Sequence, residues 1–218
     1  MILGIYGSGG LGREVLDIVI AGNRVKEKYT DIVFIDDNKS KQIINGYNTL
    51  TFDEFSGAYK AENAGVVIGV GEPKVRMLMS NKVRERGFEL ETVVHPAADV
   101  SRFAQIGKGC VICFSSFIST GVIIKDNAYI QLNTCIGHDT VIGHSSVISP
   151  LASISGGCII GDETYIGMSV PIREKVVIGS EVIIGMGAVV LKDIPDRSVA
   201  YGNPAKVVRT NDSLRVFR

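Results

Sequence analysis

The sequence has no net charge, few cysteines and no long apolar run, and each of these absences excludes a class of protein. Its 23 basic and 23 acidic residues cancel, and no basic run appears, so neither nucleic acid nor a membrane surface is an expected partner. The N-terminal apolar run before the first glycine loop is too short for a signal peptide or a membrane span. We therefore expect a cytoplasmic protein.

The four cysteines all lie in the C-terminal half of the chain, at Cys110, Cys113, Cys135 and Cys158. This number and placement favour reduced thiols over a disulfide framework. Cys110 and Cys113 form one Cys-x-x-Cys pair, but no second pair completes a tetrahedral zinc site. We expect buried structural thiols and no metal.

An aliphatic residue recurs at every sixth position from Val100 to Val190, sixteen times without a break. A period of six fits neither a helix, with about 3.6 residues per turn, nor a simple alternating strand. It is typical of a parallel β-solenoid built from hexapeptide repeats. A small or β-branched residue stands two places before nearly every aliphatic, so both positions should point inward. The aliphatics are Val100, Ile106, Ile112, Ile118, Ile124, Ile130, Ile136, Ile142, Ile148, Ile154, Ile160, Ile166, Ile172, Ile178, Ile184 and Val190.

Glycine follows the aliphatic residue in seven of these repeats. We expect it there because a corner of the solenoid needs unusual backbone dihedrals. The seven are Gly107, Gly137, Gly143, Gly161, Gly167, Gly179 and Gly185.

The N-terminal segment carries a nucleotide-binding pattern. Ile2 to Tyr6 reads as a buried strand, the glycine loop 7–12 follows and opens a helix, and the strand Val33 to Ile35 ends in Asp36 and Asp37. Glycines let a diphosphate approach the N–H groups at a helix N-terminus, and the acids can accept hydrogen bonds from a ribose or a base. The alternative is that the glycines only form a tight turn.

Further elements complete a small first domain. We predict a short helix around Phe52 to Phe55, a strand from Gly65 to Val70, a helix from Pro73 to Arg86 and a fourth strand from Glu91 to Val94. The helix should bury one apolar face. That face comprises Val75, Leu78, Met79 and Val83. About four parallel strands make one mononucleotide-binding half, too small to present a nicotinamide, so an oxidoreductase is disfavoured.

The solenoid should begin at His95-Pro96 and end after Val190, because Pro195 and Pro204 cannot continue a coil. The charged tail is expected to cap the last coil. We therefore predict two domains, residues 1–94 and 95–218.

With both halves in view, the chain resembles the sugar O-/N-acyltransferase family of the hexapeptide-repeat transferases, which includes nucleotide-4-amino-sugar N-acetyltransferases and sialic acid O-acetyltransferases. The resemblance covers nearly the whole length. It implies an α/β Rossmann-like nucleotide-binding domain followed by a left-handed parallel β-helix, with three repeats to each coil. The motifs that carry it are the glycine loop, Phe34-Ile35-Asp36-Asp37, His95-Pro96, the repeats, Ile136-Gly137-His138-Asp139 and Gly202-Asn203-Pro204-Ala205-Lys206.

The resemblance implies transfer of an acetyl group from acetyl-CoA to the 4-amino group of a UDP- or dTDP-linked amino-deoxy sugar, for surface glycans such as lipopolysaccharide O-antigen. His138 is the implied general base, and Asp139 would raise its basicity. The implied sugar-nucleotide contacts are Gly9, Gly10, Leu11, Asp36 and Asp37. The implied acetyl-CoA contacts, in a groove between subunits of a homotrimer, are Gly156, Met168, Gly185, Met186 and Gly187.

The chemistry expected of His138 agrees with this role. An amine that attacks a thioester must be unprotonated and must lose a proton, and histidine titrates near neutral pH. His138 lies outside the inward positions, and the N–H of Gly156 could hold the developing oxyanion. The alternative is a solvated surface histidine.

Other possibilities remain open in the sequence. A second histidine that several relatives carry nine residues after the first is here Val147, and His144 is out of register, so one contact to CoA is in doubt. Carbonic anhydrases with the same solenoid bind zinc through three histidines, but the positions of His95, His138 and His144 disfavour such a site. A sugar O-acetyltransferase of the sialic acid type and a non-catalytic trimeric scaffold that senses a nucleotide are the alternative functions.

Overall fold

The computed structural model describes residues 1–39 and 41–217, which form an α/β sheet domain followed by a three-sided parallel β-helix. The first domain contains three helices and six strands. The helices are α1 Gly10–Val25, α2 Phe52–Ala58 and α3 Pro73–Glu85. The strands are β1 Ile2–Tyr6, β2 Asp31–Ile35, β3 Ile43–Ile44, β4 Tyr47–Leu50, β5 Ala64–Ile68 and β6 Glu89–Leu90.

The sheet of this domain has the order β3-β4-β2-β1-β5-β6. All neighbouring pairs are parallel except the β3–β4 hairpin, which the sequence did not predict. The predicted fourth strand, Glu91 to Val94, is wrong: β6 is the edge strand, and Val93–Val94 pairs in the β-helix instead. A domain boundary at residue 94 stays a prediction.

The β-helix stacks two-residue strands on three faces, with 18 residues between successive strands of one face. The first face contains β7 Val93–Val94, β10 Val111–Ile112, β13 Tyr129–Ile130, β16 Val147–Ile148, β19 Tyr165–Ile166 and β22 Ile183–Ile184. The second face contains β8 Asp99–Val100, β11 Phe117–Ile118, β14 Cys135–Ile136, β17 Ser153–Ile154 and β20 Pro171–Ile172. The third face contains β9 Gln105–Ile106, β12 Ile123–Ile124, β15 Val141–Ile142, β18 Ile159–Ile160 and β21 Val177–Ile178.

The inward direction of the six-residue repeat is confirmed. Every aliphatic of the series is buried except Val100 and Ile106, which are partly buried and pack against the same core. The small residues two places earlier, such as Cys110 and Cys158, also point inward. Cys135 differs from the other cysteines, because its side chain is exposed.

The reason for the glycines after the aliphatics differs from the one expected. None of the seven has a positive φ; the left-handed residues lie two places further on, for example Asp139 after Gly137 and Ser145 after Gly143. The glycines are needed because coils approach closely. A Cβ on Gly137 would lie 2.6 Å from the nitrogen of Gly156, and one on Gly143 would lie 2.4 Å from the carbonyl carbon of Gly161.

The β-helix also continues beyond Val190, contrary to expectation. Ile194 bridges to Ile178 on the third face, and β23 Ser198–Tyr201 adds a parallel strand beside β22. Proline 195 is accommodated because it follows the last described bridge of the third face, where no further coil accepts from its position; in the coil below, the matching Gly179 N–H donates to the carbonyl oxygen of Ile194 at 2.9 Å. The antiparallel strand β24 Lys206–Thr210 then covers β23.

The first domain packs on the first face of the β-helix. Helix α1 contributes Val15, Ile18 and Val19 to a core shared with outward residues of that face, including Val111 and Tyr129. Within the described parts of the chain, no helix has the length and apolar content needed to cross a membrane.

Helix α3 buries only part of the predicted apolar face. Val83 is fully buried and Met79 packs against the same core, whereas Val75 and Leu78 are exposed. Arg76, which was not predicted to be buried, has no exposed surface. Its guanidinium donates to the carbonyl oxygens of Ile68 and Val70 at 2.8 Å and to both oxygens of Asn127 at 2.8–3.0 Å. Because Asn127 belongs to the β-helix, Arg76 ties the end of β5 to the second domain. Burial lowers the pKa of Arg76 to about 10.

Candidate active site

A cavity of about 490 Å³ lies at the carboxyl ends of β1, β2 and β5. The glycine loop forms one wall, because helix α1 starts directly after β1. A Cβ on Gly12 would lie 1.9 Å from the carbonyl oxygen of Gly7, so helix and strand meet only with glycine there. The five residues predicted to contact a sugar nucleotide all line this cleft, namely Gly9, Gly10, Leu11, Asp36 and Asp37.

The N-terminus of α1 opens into this cleft. Gly9 is the N-cap residue and has no side chain that could accept a hydrogen bond from the first N–H groups of the helix. Gly9 and Gly10 have open space where a Cβ would stand. Unpaired N–H groups at a helix N-terminus favour an anion, and the absence of side chains lets one approach the backbone.

The two acids at the end of β2 have different environments. Asp36 accepts hydrogen bonds from the hydroxyl of Ser8 and from the N–H of Asn38. Asp37 accepts from the Tyr6 hydroxyl at 2.6 Å and from the Phe52 N–H at 2.8 Å, and it also binds Lys82. Asp36 therefore retains more unused acceptor capacity for a ligand.

Asp37 and Lys82 hold each other in their charged forms. Burial alone would raise the pKa of Asp37, but hydrogen bonds from the Phe52 N–H, Tyr6 and Lys82 outweigh burial and lower it. Burial likewise opposes the charged form of Lys82, yet its contacts with Tyr6 and Asp37 raise its pKa. The pKa of Tyr6 rises to about 12, mainly through burial and its hydrogen bond to Asp37.

His138 lies at the corner between the second and third faces of the β-helix, directly after β14. Its side chain is 65% exposed, and Nδ1 lies 2.9 Å from Oδ2 of Asp139. Asp139 has a φ of 57°, the left-handed conformation that Asp and Asn adopt more readily than most residues. The tight corner thus turns the carboxylate toward the imidazole of the preceding residue.

Gly156 lies one coil above His138 and its imidazole. A Cβ at this position would stand 2.5 Å from Nε2, so only glycine leaves the ring in place. At the matching place on another corner, the N–H of His144 is bound by the side chain of Asp162 one coil above. Gly156 offers no such side chain, and the imidazole of His138 occupies the space that a side chain would take there.

A second cavity of about 290 Å³ lies between the two domains. One wall is Leu11, Glu14 and Gly71 of the first domain. The opposite wall includes part of an exposed apolar ridge at the corner between the first and second faces. The apolar ridge consists of Phe114, Leu132, Met168 and Met186. Gly185 and Gly187 flank Met186, and Gly187 is left-handed with a φ of 68°.

The residues predicted for catalysis and for acetyl-CoA are thus split between two corners. Gly156 is beside His138, whereas Met168 and Met186 lie in the interdomain cavity. The His138 corner is opposite the first face, on which the nucleotide cleft is carried. His138 lines neither cavity described above. One chain therefore does not bring the imidazole to the cleft.

The other histidine positions are also resolved by the fold. Val147, which replaces the second histidine of relatives, is fully buried in the core between the first face and α1. His95 packs edge-on against Phe114, with ring centroids 5.2 Å apart. Among residues 1–39 and 41–217, no cluster of three or more metal-ligating side chains is present.

Sequence reasoning missed the residues that complete the cleft. Lys82 and Tyr6 contact Asp37 across large separations in sequence, and no local spacing links them. Phe217 lines the interdomain cavity, and its N–H donates to the carboxylate of Glu72, which is 145 residues away in the sequence. Only the packing of α3 and of the C-terminal segment brings these groups together.

The N-terminal part of the chain matches a known domain family. Residues 3–83 match the family model described as the PglD N-terminal domain. A curated relative, the GDP-perosamine N-acetyltransferase of Escherichia coli O157:H7, is 31% identical over 127 residues, which is 56% of each chain. The match therefore spans little more than half the length of that relative.

Solved structures match over nearly the whole chain. The acetyltransferase domain of PglB from Neisseria gonorrhoeae is 31% identical, with 95% of this chain and 99% of that chain covered and a TM-score of 0.89. The same domain has been solved in complex with acetyl coenzyme A. A histidine-to-asparagine variant of perosamine N-acetyltransferase from Caulobacter crescentus, in complex with CoA and GDP-perosamine, is 25% identical, covers 96% and 97%, and has a TM-score of 0.89. The predicted fold, a Rossmann-like domain followed by a left-handed parallel β-helix, is confirmed.

Proposed function

The chain belongs to the sugar acetyltransferases of the hexapeptide-repeat family, and from this premise we propose that it acetylates the 4-amino group of a nucleotide-linked amino-deoxy sugar with acetyl-CoA. The observation that carries the proposal is the presence, in one chain, of a glycine-walled cleft with two acids and a β-helix corner that displays His138 beside Asp139. The names of two relatives specify GDP-perosamine and N-acetylation, which supports an amine acceptor on a nucleotide.

The cleft supplies the means to hold the nucleotide. Open N–H groups at the start of α1 suit the diphosphate, because the helix N-terminus carries partial positive charge. Asp36 suits a hydroxyl or N–H group of the nucleoside, since it keeps acceptor capacity after binding Ser8 and Asn38. The carboxylate of Asp37 already accepts hydrogen bonds from Lys82 and Tyr6. In the proposal it therefore fixes the shape of the cleft more than it accepts a hydrogen bond from the nucleotide.

His138 acts as the general base in this proposal. The acceptor nitrogen forms a bond to the acetyl carbon, the carbon–sulfur bond of the thioester breaks, and the leaving CoA thiolate is protonated by the imidazolium that forms. The imidazole takes the proton that the amine loses, and Asp139 stabilises the imidazolium across the 2.9 Å contact. The N–H of Gly156, next to the imidazole, is the proposed donor to the oxyanion of the tetrahedral intermediate.

A homotrimer is part of the proposal, because one chain places His138 on the side opposite its own cleft. The third face exposes Ile123, Ile159 and Val177, and a row of exposed aliphatics favours association with another copy. A groove between two copies could then contact Gly156 of one and Met168, Gly185, Met186 and Gly187 of the other. We place the reaction in the cytoplasm, in the synthesis of a surface glycan such as lipopolysaccharide O-antigen.

The test is to incubate purified protein with acetyl-CoA and a panel of GDP-, UDP- and dTDP-linked 4-amino sugars, and to measure release of free CoA and the mass of the product. We expect one nucleotide series to be acetylated on nitrogen. Absence of CoA release with every member would refute the proposal, and acetylation of free sialic acid alone would favour the O-acetyltransferase alternative. Light scattering of the same preparation should give the mass of a trimer.

A further inference from the structure

The C-terminal strap, residues 215–217, is fastened to the first domain by Glu72. This carboxylate is buried, and its two oxygens accept the consecutive N–H groups of Val216 at 2.9 Å and Phe217 at 3.0 Å. Glu72 is also the N-cap residue of α3, yet it makes no side-chain cap hydrogen bond to that helix. Its carboxylate therefore serves the strap, and charge-assisted hydrogen bonds of this kind are strong.

The strap holds one aromatic ring in a fixed and half-exposed position. Phe217 is 51% exposed although its backbone is fastened. Its ring stands edge-on to Tyr165, with centroids 5.5 Å apart and an interplanar angle of 84°, which is a favourable aromatic geometry. A half-exposed phenylalanine that lines a cavity has surface available for a ligand.

The cavity that Phe217 lines is adjacent to the nucleotide cleft. Leu11 and Gly71 line both, so the two cavities share a wall at the end of the glycine loop. Gly71 also lies against the strap, since a Cβ there would stand 4.0 Å from Cε2 of Phe217. A nucleotide seated in the cleft with its diphosphate at α1 would extend its sugar past Leu11 toward Phe217 and Tyr165.

We propose that the C-terminal strap forms a wall of the acceptor-sugar subsite and that Phe217 contacts the sugar and determines its selection. The inference rests on the proposed function. The aromatic ring offers its face to the C–H groups of the pyranose, and Glu72 positions the ring at the point where the sugar leaves the nucleotide cleft.

The experiment compares Phe217→Ala with a matched control, Phe103→Ala, which removes an exposed phenylalanine that lines neither cavity. With the best acceptor of the panel, Phe217→Ala should raise the acceptor KM by roughly 5- to 10-fold, on the scale of one aromatic contact. It should raise the acetyl-CoA KM less, although Phe217 shares its cavity with Met168 and Met186, the proposed acetyl-CoA contacts. The control should change neither. An unchanged acceptor KM, or a rise confined to acetyl-CoA, would overturn the proposal.

Calorimetry separates this inference from the proposed function. Phe217→Ala should weaken binding of the nucleotide sugar while binding of the bare nucleoside diphosphate stays as in the unaltered protein. Equal binding of the sugar nucleotide by both proteins would refute the subsite even if no turnover is found. Glu72→Gln, which replaces one accepting oxygen by an amide NH2, should weaken sugar-nucleotide binding in the same direction but less; no weakening would show that the strap does not position the ring.

Discussion

The nucleotide cleft and the His138 corner are built in opposite ways. The cleft brings together groups from distant parts of the chain. The carboxylate of Asp37, for example, accepts hydrogen bonds from Tyr6, Phe52 and Lys82. At the corner, His138 meets its acid in the next residue and is largely open to solvent. Packing therefore completes the cleft inside one chain, whereas the corner carries a local motif that does not reach the cleft of its own chain.

The largest expected effect comes from removing the hydrogen bonds of Arg76, which connect the domain that carries the cleft to the β-helix that carries the corner. Arg76→Met leaves buried carbonyl oxygens of Ile68, Val70 and Asn127 without donors, and each unsatisfied group costs about 1–3 kcal/mol. We expect the free energy of unfolding to fall by at least about 3 kcal/mol, measured by urea denaturation. Arg84→Met is the control on the same helix; its exposed ion pair with Asp126 should contribute no more than about 1 kcal/mol. Similar losses for both variants would contradict the assigned role of Arg76.

Removal of the imidazole should lower turnover strongly without changing the nucleotide cleft. We expect His138→Ala to lower turnover by about 10²-fold or more, the usual scale for loss of a general base. Because His138 is exposed, the melting temperature and the affinity for the nucleotide sugar should be unchanged. Steady-state CoA release and calorimetry measure the two quantities. Turnover close to that of the unaltered enzyme would remove His138 from the mechanism.

Displacement of the imidazole should have a smaller effect than its removal. The Cβ of Gly156→Ala would meet Nε2 at 2.5 Å, and the ring can move because it is exposed. We expect roughly a tenfold loss of kcat, since general-base catalysis depends on hydrogen-bond geometry. Gly57→Ala, at a helical glycine with open space around it, should leave kcat unchanged. Equal kcat for Gly156→Ala and the control would show that the ring position is unimportant.

The smallest expected effect is a pH-dependent change in melting temperature that arises from the cleft alone. The pKa of Asp37 is lowered by folding, so its stabilising contribution is present above the unfolded value of about 4 and is lost as pH falls through the folded value. Asp37→Asn should therefore lower the melting temperature at pH 7, and the difference should shrink toward pH 3. Asp53→Asn, with a more exposed ion pair to Arg86, should change it little at either pH. A pH-independent difference for Asp37→Asn would refute this account.

How much the sequence predicts depends on how local the deciding interaction is. The six-residue period is a local pattern, and it correctly predicts which side chains fill the β-helix. The buried face of α3 is not predictable in this way, because an arginine is buried only when acceptors from β5 and from Asn127 converge on it. The same holds for the β3–β4 hairpin, which is too short to give a periodic signal.

The candidate site shows the same limit. The glycine loop and the acids after β2 were predicted to share a site, and they do line one cleft. Lys82 and Phe217 were not predicted, because their positions depend on how α3 and the strap pack. The roles of His138, Asp139 and Gly156 stay predictions, since one chain does not bring them to the cleft.

The left-handed residue at each corner has a consequence for how such sites arise. Every sixth residue adopts this conformation along the β-helix, and the residue before it points outward, so each corner offers the same two-residue frame. His144 and Ser145 occupy the frame on another corner, but Ser145 is buried and bonded to Asn127. A histidine with an acidic neighbour can thus be acquired by point substitution at little backbone cost only where the left-handed residue is exposed, as at Asp139. The burial of the left-handed residue then decides which corners can display an acid beside an exposed imidazole.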